Sequence, residues 1–147
     1  MACILITGGA GFIGSRLAAA LLEQGHTVRV LDTLSPQIHG ADARAPAWTQ
    51  QSAVRFVQGS VTDRLALTQI TKGVDAVVHL AAETGTGQSM YEIARYNEVN
   101  TQGTALLMDI IVSMGEARPS RVVLASSRSI YGEGAYDDDQ GQRCFPA

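Results

Sequence analysis

The nine residues Thr7-Gly8-Gly9-Ala10-Gly11-Phe12-Ile13-Gly14-Ser15 decide the fold. Their glycines satisfy G-x-G-x-x-G at Gly9, Gly11 and Gly14, and the wider G-x-x-G-x-x-G at Gly8, Gly11 and Gly14. An apolar run, Ala2 to Thr7, leads in; Ile13, Leu17 and Leu21, at four-residue spacing, predict a helix leading out that Gly25 stops. Val28 to Leu31 predicts the next strand, and Asp32 closes it about 20 residues beyond the glycines. Strand, glycine turn, helix, strand and acid together form a dinucleotide-binding pattern. One glycine permits the tight turn, one lets backbone amides approach a diphosphate, and one lets helix and strand pack closely. The diphosphate then meets the positive end of the helix dipole. A purely structural glycine turn, the plainer alternative, has no need of the acid. Asp32 can accept hydrogen bonds from the two ribose hydroxyls and would repel a phosphate there. The neutral Thr33, Leu34 and Ser35 that follow leave its charge in place, which selects NAD over NADP.

Further along, strand-like and helix-like segments alternate, the pattern of an α/β protein with a parallel sheet covered on both faces. Thr33 to about Ala53 holds Pro36, Gly40 and Pro46 without a firm period and reads as a long loop with room for a short helix. Val54 to Gln58 reads as the third strand, followed by a helix that Thr62 or Asp63 can cap and that carries Leu65 and Ile70. Ala76 to Ala81 is the fourth strand. From about Ser89 to Met114 one long helix is expected, with Ile93, Tyr96, Asn100, Gly103, Leu107, Ile110 and Met114 on one face. Arg121 to Ala125 is the fifth strand, and the remainder reads as loop around the acidic triplet Asp137-Asp138-Asp139.

Composition narrows the class. The 147 residues carry 14 acidic and 11 basic side chains, a net charge of −3, which excludes a dedicated nucleic-acid binder. Hydrophobic residues make up 46%, enough for a core and too many for a disordered chain. Two cysteines, Cys3 and Cys144, form no disulfide framework, and no apolar stretch nears the roughly 18 residues of a membrane span, so a reducing, cytoplasmic setting is expected. His26, His39 and His79 share no metal-ligand spacing, and the acidic triplet lacks the pattern of a calcium loop, so no metal is expected.

The Thr7 to Ser15 string, Asp32, Val77-Val78-His79-Leu80-Ala81-Ala82, the run Asn97 to Thr104 and Ser126-Ser127-Arg128-Ser129-Ile130-Tyr131-Gly132 resemble the NAD-dependent epimerase/dehydratase family. These are extended short-chain dehydrogenases acting on nucleotide sugars. The resemblance covers nearly the whole chain but only the first half or less of a typical member. It implies a Rossmann-type, doubly wound parallel sheet of order 3-2-1-4-5 that stops after the fifth strand. The substrate domain would then be absent. Leu31 to Gly40 and Glu83 to Tyr96 look most like the nucleotide-sugar 4-epimerases of the family.

Carried over residue by residue, the resemblance places NAD against Gly8, Gly11, Phe12, Ile13 and Gly14 at the turn, and against Asp32 and Thr33 at the ribose. Ser60 and Val61 fall at the adenine, where the family often has an acid instead of this serine. Leu80, Ala81, Ala82 and Thr84 fall at the diphosphate and nicotinamide ribose. Asn100 would bond into the sheet or the cofactor region, or be satisfied by neighbouring backbone. Gly103 would allow close packing. Glu83 to Gly87 would cradle a phosphate or serve as a flexible connection.

Ser127 matches the family's catalytic Ser/Thr, which holds the sugar hydroxyl that is oxidised; a strand-end serine capping local backbone is the alternative. Arg128 and Ser129 stand where dehydratases carry an acid pair, which disfavours dehydration. The family's Tyr-x-x-x-Lys pair is missing: Tyr91, Tyr96, Tyr131 and Tyr136 are followed four residues on by Arg95, Asn100, Ala135 and Gln140. Tyr131 reads as part of an Ile-Tyr-Gly turn. The expectation is the NAD-binding portion of a 4-epimerase, inactive alone, whose nucleotide-sugar substrate needs a further half. A stand-alone NAD-binding module without catalysis and a dehydratase or reductase of the same superfamily are the alternatives. Because the fifth strand is apolar on both faces, self-association or a homodimer is also expected.

Overall fold

A computed structural model describes residues 1–132 and 134–145; the side chains of Arg128 and Tyr131 lie outside the description, so the reading of Tyr131 as a turn residue concerns its sequence alone. Five parallel strands form the sheet: β1 (Cys3–Thr7), β2 (Thr27–Asp32), β3 (Val54–Gln58), β4 (Ala76–His79) and β5 (Arg121–Leu124). Their order is β3-β2-β1-β4-β5, as expected for a Rossmann-type sheet. Alternation along each strand sends side chains to two cores. Leu5, Leu31 and Val77 face α3 (Arg64–Thr71) and α6 (Gly103–Ser113), where Leu67, Ile70, Leu107, Ile110 and Ile111 complete one cluster. Ile4, Ile6, Val28 and Val30 face α1 (Phe12–Glu23), meeting Ala18, Leu17 and Leu21 on the other side. The sheet is thus covered on both faces, and β1 lies at its centre with every side chain from Ile4 to Thr7 buried.

Local chemistry fixes the helix ends. Asp63 caps α3, its Oδ1 accepting from the amides of Leu65 at 2.9 Å and Ala66 at 3.0 Å, so of the two candidate caps it is the one used. At the other end of α3 the Arg29 guanidinium donates to the carbonyls of Ile70 at 3.0 Å and Lys72 at 2.6 Å. A strand residue thereby satisfies acceptors that the helix leaves open.

Two periodicity readings need correction. Ile13 does not face the sheet but is 65% exposed, because Gly14 and Ala18 are the α1 residues that press inward and set the helix phase one residue later. The helix expected to carry Leu65 and Ile70 is α3; within it Leu65 is 67% exposed and Leu67 takes the core place beside Ile70. The single helix expected from Ser89 to Met114 starts later, at Ile93, which is exposed, and runs without a break to Ser113 as α5 (Ile93–Tyr96), a π-helical stretch Asn97–Gln102 and α6; α4 (Thr86–Ser89) is a separate short helix before it. The long loop does hold a short helix, α2 (Pro36–His39), and a 3₁₀ turn at Ala47–Gln50. Past β5, a two-stranded antiparallel ladder of β6 (Tyr136–Asp137) and β7 (Arg143–Cys144) replaces part of the expected loop. Asp138 of the acidic triplet organises its turn by accepting from the amides of Gln140 and Gln142.

Candidate functional site

The carboxyl ends of β1, β2 and β4 open onto a cleft of about 410 Å³. It sits where the strand order reverses, β1 lying between β2 and β4, the place at which open α/β sheets bind ligands. Its walls include Gly8, Gly11, Phe12, Ile13 and Gly14 from the turn, Asp32 and Thr33 from the end of β2, Ser60 and Val61 beyond β3, and Leu80, Ala81, Ala82 and Thr84 beyond β4. Those thirteen expected cofactor positions come together from four separate segments of chain.

The turn could be built only from glycine at two of its positions. Gly8 has φ +67°, and a Cβ there would lie 2.8 Å from the Ala81 amide nitrogen, inside the opposite wall of the cleft. A Cβ on Gly14 would stand 2.5 Å from the Gly9 Cα. Close packing of α1 against the turn brings the helix N-terminus to the cleft, and Gly11 caps it without any side-chain bond. The first amides of α1 therefore remain available to an anionic ligand. Phe12 and Ile13, exposed at that end, form its apolar lip.

Asp32 is 8% exposed and its carboxylate is held from both sides: Oδ2 accepts from the Ala10 amide at 3.0 Å and Oδ1 from the Leu34 amide at 2.9 Å. Each oxygen keeps a lone pair for a ligand hydroxyl. Leu34 adopts a left-handed conformation, φ 53°, while its side chain is only 4% exposed. A residue type that avoids this region is held there, and the result is an acid aimed into the cleft. His39, which also lines the cleft, has its Nε2 3.6 Å from Oδ1.

The segment after β4 is not a loose connection. Asn100 brackets Glu83, accepting from its amide at 2.8 Å and donating to its carbonyl at 3.0 Å. Tyr96 donates to the Thr84 carbonyl at 2.7 Å, Arg95 pairs with Glu83 at 3.0 Å, and Gln37 of α2 reaches across to the Gln88 side chain at 2.6 Å. Partial desolvation, then the charges of Glu83 and Glu92, push the Tyr96 hydroxyl above its ordinary value, so it stays a donor. Beneath, Val61 packs against Gly103, where a Cβ would stand 2.6 Å from the valine Cγ2.

Two expected site residues lie elsewhere. Asn100 spends its amide on Glu83 and does not line the cleft; backbone satisfaction is what the structure shows for it. Ser127, exposed just past β5, is also outside the described lining, and its Oγ accepts from the Ser129 amide at 3.1 Å as a turn cap. Ser60 faces the cleft with its hydroxyl bonded to Thr62 at 2.8 Å. Glu83, in the segment read as a phosphate cradle or a flexible connection, also lines the cleft; the lining residues missed in sequence are Ser35, Ile38, His39 and Val99, together with Leu31 and Gly59. Of these His39 had the one readable signal, a titratable side chain seven residues after the acid.

The residues fit a dinucleotide: a glycine cradle that a Cβ would fill, an uncapped helix N-terminus, and a buried acid with free lone pairs. Among the described residues no group of three or more His, Cys, Asp or Glu could hold a metal ion, and no helix is long and apolar enough to cross a membrane. Comparison with known proteins agrees with the cleft. The model of the NAD dependent epimerase/dehydratase family matches residues 4–144. The dTDP-L-rhamnose 4-epimerase of Burkholderia thailandensis is 42% identical over 145 residues, covering 97% of this chain and 39% of the relative. Among solved structures, the epimerase Mth375 of Methanothermobacter thermautotrophicus superposes with a TM-score of 0.76 at 29% identity, over 92% of this chain and 38% of that one. The UDP-glucose 4-epimerase of Brucella ovis, solved in complex with NAD, superposes with a TM-score of 0.70 at 33% identity, over 90% of this chain and 38% of that one. The chain thus spans about two fifths of the length of these relatives. With glycine cradle, strand order and family model in agreement, this chain belongs to the NAD-dependent epimerase/dehydratase family.

Proposed function

We propose that the chain is the NAD-binding portion of a nucleotide-sugar 4-epimerase, working with a substrate-binding portion that these residues do not form. The observation that carries the reading is the cleft itself, with Asp32 at its ribose end and the uncapped start of α1 at its centre. When bound there, NAD supplies a reversible hydride acceptor for a sugar carbinol. The chain's own part is to hold and orient: Asp32 takes ribose hydroxyls, Gly11 to Gly14 face the diphosphate, and the pinned Ala81 to Thr84 segment forms the wall toward the nicotinamide. Asn100 acts as a positioning residue for that wall through Glu83. Ser127 is proposed to release its turn-capping bond and hold the sugar hydroxyl. Arg128 and Ser129, standing where a dehydratase needs carboxylates to move protons, favour epimerisation over loss of water. No Tyr-x-x-x-Lys pair occurs in these 147 residues, so the tuned base of the reaction is not supplied by them.

Calorimetric titration tests the reading. NAD should bind more tightly than NADP, and Asp32→Ala should weaken NAD about tenfold to a hundredfold, the worth of charged hydrogen bonds at about 1.5–3 kcal/mol. Equal or tighter NADP binding, or unchanged NAD affinity in the variant, would overturn it.

The edge strand carries a second expectation. Val123 and Leu124 of β5 are exposed, and among the described residues β5 pairs on one side only, with β4. An apolar strand with unpaired backbone groups is a template for association. Sedimentation at micromolar concentration should show self-association that Leu124→Lys reduces; a monomer unchanged by that substitution would contradict it.

A further inference from the structure

His39 closes α2 and lies inside the cleft wall, with its Nε2 3.6 Å from Asp32 Oδ1 and side-chain exposures of 16% and 8% for the pair. That separation exceeds a hydrogen bond yet is within ion-pair range, so the contact changes character with the charge on the imidazole. The Asp32 carboxylate already accepts from Ala10 through Oδ2 and from Leu34 through Oδ1, and Oδ1 is the oxygen that lies 3.6 Å from His39 Nε2. Beside the imidazole, Ser35 and Ile38 are neutral, and Gln37 ties α2 to Gln88 and the Thr84 carbonyl. The other carboxylate lining the cleft, Glu83, is matched by Arg95 at 3.0 Å. Asp32 is therefore the charge that His39 faces.

We propose that His39 and Asp32 together set how the cleft treats the 2′ position of an adenosine ribose. With a neutral imidazole the buried carboxylate rejects a 2′-phosphate; with an imidazolium its charge is matched and the phosphate is admitted. The inference rests on the dinucleotide reading above and adds a second determinant to it. Preference for NAD then depends on pH: it is strongest where histidine is neutral and declines as histidine takes up a proton. Protonation also draws His39 onto Oδ1, in competition with the ribose hydroxyl, so NAD affinity falls while NADP affinity rises.

Affinities of NAD and NADP for the whole chain, measured by calorimetry from pH 8.5 to pH 5.5, test this, with His39→Gln and His39→Lys beside the natural protein. The phosphate's own second ionisation near pH 6 acts in all three proteins alike, so it cancels in the comparison. The ratio of NADP to NAD dissociation constants should fall about tenfold more in the natural chain than in His39→Gln, as one lost opposite-charge contact of about 1.4 kcal/mol implies. His39→Lys, cationic throughout, should show a low ratio even at pH 8.5. Superimposable curves for the natural chain and His39→Gln, or an undiminished NAD preference in His39→Lys, would overturn the proposal while leaving NAD binding intact. Failure of both dinucleotides to bind at pH 8.5 would overturn the dinucleotide reading, and this inference with it.

Discussion

Gly14→Ala should lose dinucleotide binding and about 2–4 kcal/mol of stability, in the range of severe overpacking. A methyl at this position would meet the Gly9 Cα at 2.5 Å and the Gly8 and Gly9 carbonyl oxygens at 2.7 Å. All three are backbone atoms of the turn, and no rotamer change can move them aside. Relief requires α1 to back away from β1, which carries its amide-lined end away from the cleft and opens the Ala18 contact beneath the sheet. The intrinsic gain of about 1 kcal/mol for alanine over glycine in a helix works against this loss and is overcome by it. Gly87→Ala supplies the contrast, since a Cβ there meets nothing within 4 Å and φ is not in the left-handed region. Denaturant titration and NAD calorimetry should show the first variant damaged and the second unchanged within about 0.5 kcal/mol. A Gly14→Ala protein that melts with the natural chain and binds NAD would refute the packing account.

His79→Ala should cost about 3–4 kcal/mol above neutral pH, and that cost should shrink on acidification. The imidazole is 2% exposed and bonded at both nitrogens, Nδ1 to Thr7 Oγ1 at 2.7 Å and Nε2 to Thr104 Oγ1 at 3.0 Å. Proton positions follow from the ends of the chain. Thr7 Oγ1 accepts from the Ala81 amide, which leaves its hydroxyl to donate to Nδ1; Nε2–H then donates to Thr104, which donates onward to the Asn100 carbonyl. Neutral imidazole completes this chain, whereas imidazolium turns Nδ1 into a donor and takes away the acceptor of the Thr7 hydroxyl proton. Desolvation by burial holds the His79 pKa below its ordinary 6.5. As pH falls below 6.5 the unfolded chain takes up the proton first, so stability is fully present above that value and is lost between it and the lower native pKa. Denaturation midpoints from pH 5 to pH 8 should show this loss in the natural chain and less of it in His79→Ala. A difference between the two proteins that is constant with pH would sink the assignment of the neutral tautomer.

The parts of the fold readable in the residues are those decided within a few positions. A turn such as Gly8 to Gly14 has one workable geometry, and strands as short and apolar as β1 and β4 admit one role in a parallel sheet. Helix phase was less legible, because the face that Ile13 and Leu65 occupy depends on what presses on the neighbouring turn. Gly14 and Ala18, too small to stand out in a hydrophobic pattern, are the α1 residues buried beneath it. The π-helical stretch at Asn97–Gln102 has no compositional mark, since the run Asn-Glu-Val-Asn-Thr-Gln is compatible with an ordinary helix. In the cleft, the glycines and Asp32 carry their chemistry with them, and so did Ala81 and Thr84 through resemblance. The link between Gln37 and Gln88 and the approach of His39 to Asp32 exist only after the chain has folded back, and the short spacing of His39 from the acid is the one local trace of either.

Leu34 has a consequence in temperature. A leucine in the left-handed region carries a strain of about 1–2 kcal/mol, and the burial of its side chain, of about 1.5–3 kcal/mol, is what holds it there. Glycine would remove the strain and leave a void; asparagine would suit the backbone and bury an amide. The aim of the Asp32 carboxylate, through its bond to the Leu34 amide, therefore leans on an apolar contact and not on polar bonding alone. Apolar contacts weaken on cooling while backbone strain does not. The turn that orients the acid is thus expected to loosen on cooling, and with it the preference for NAD proposed for Asp32.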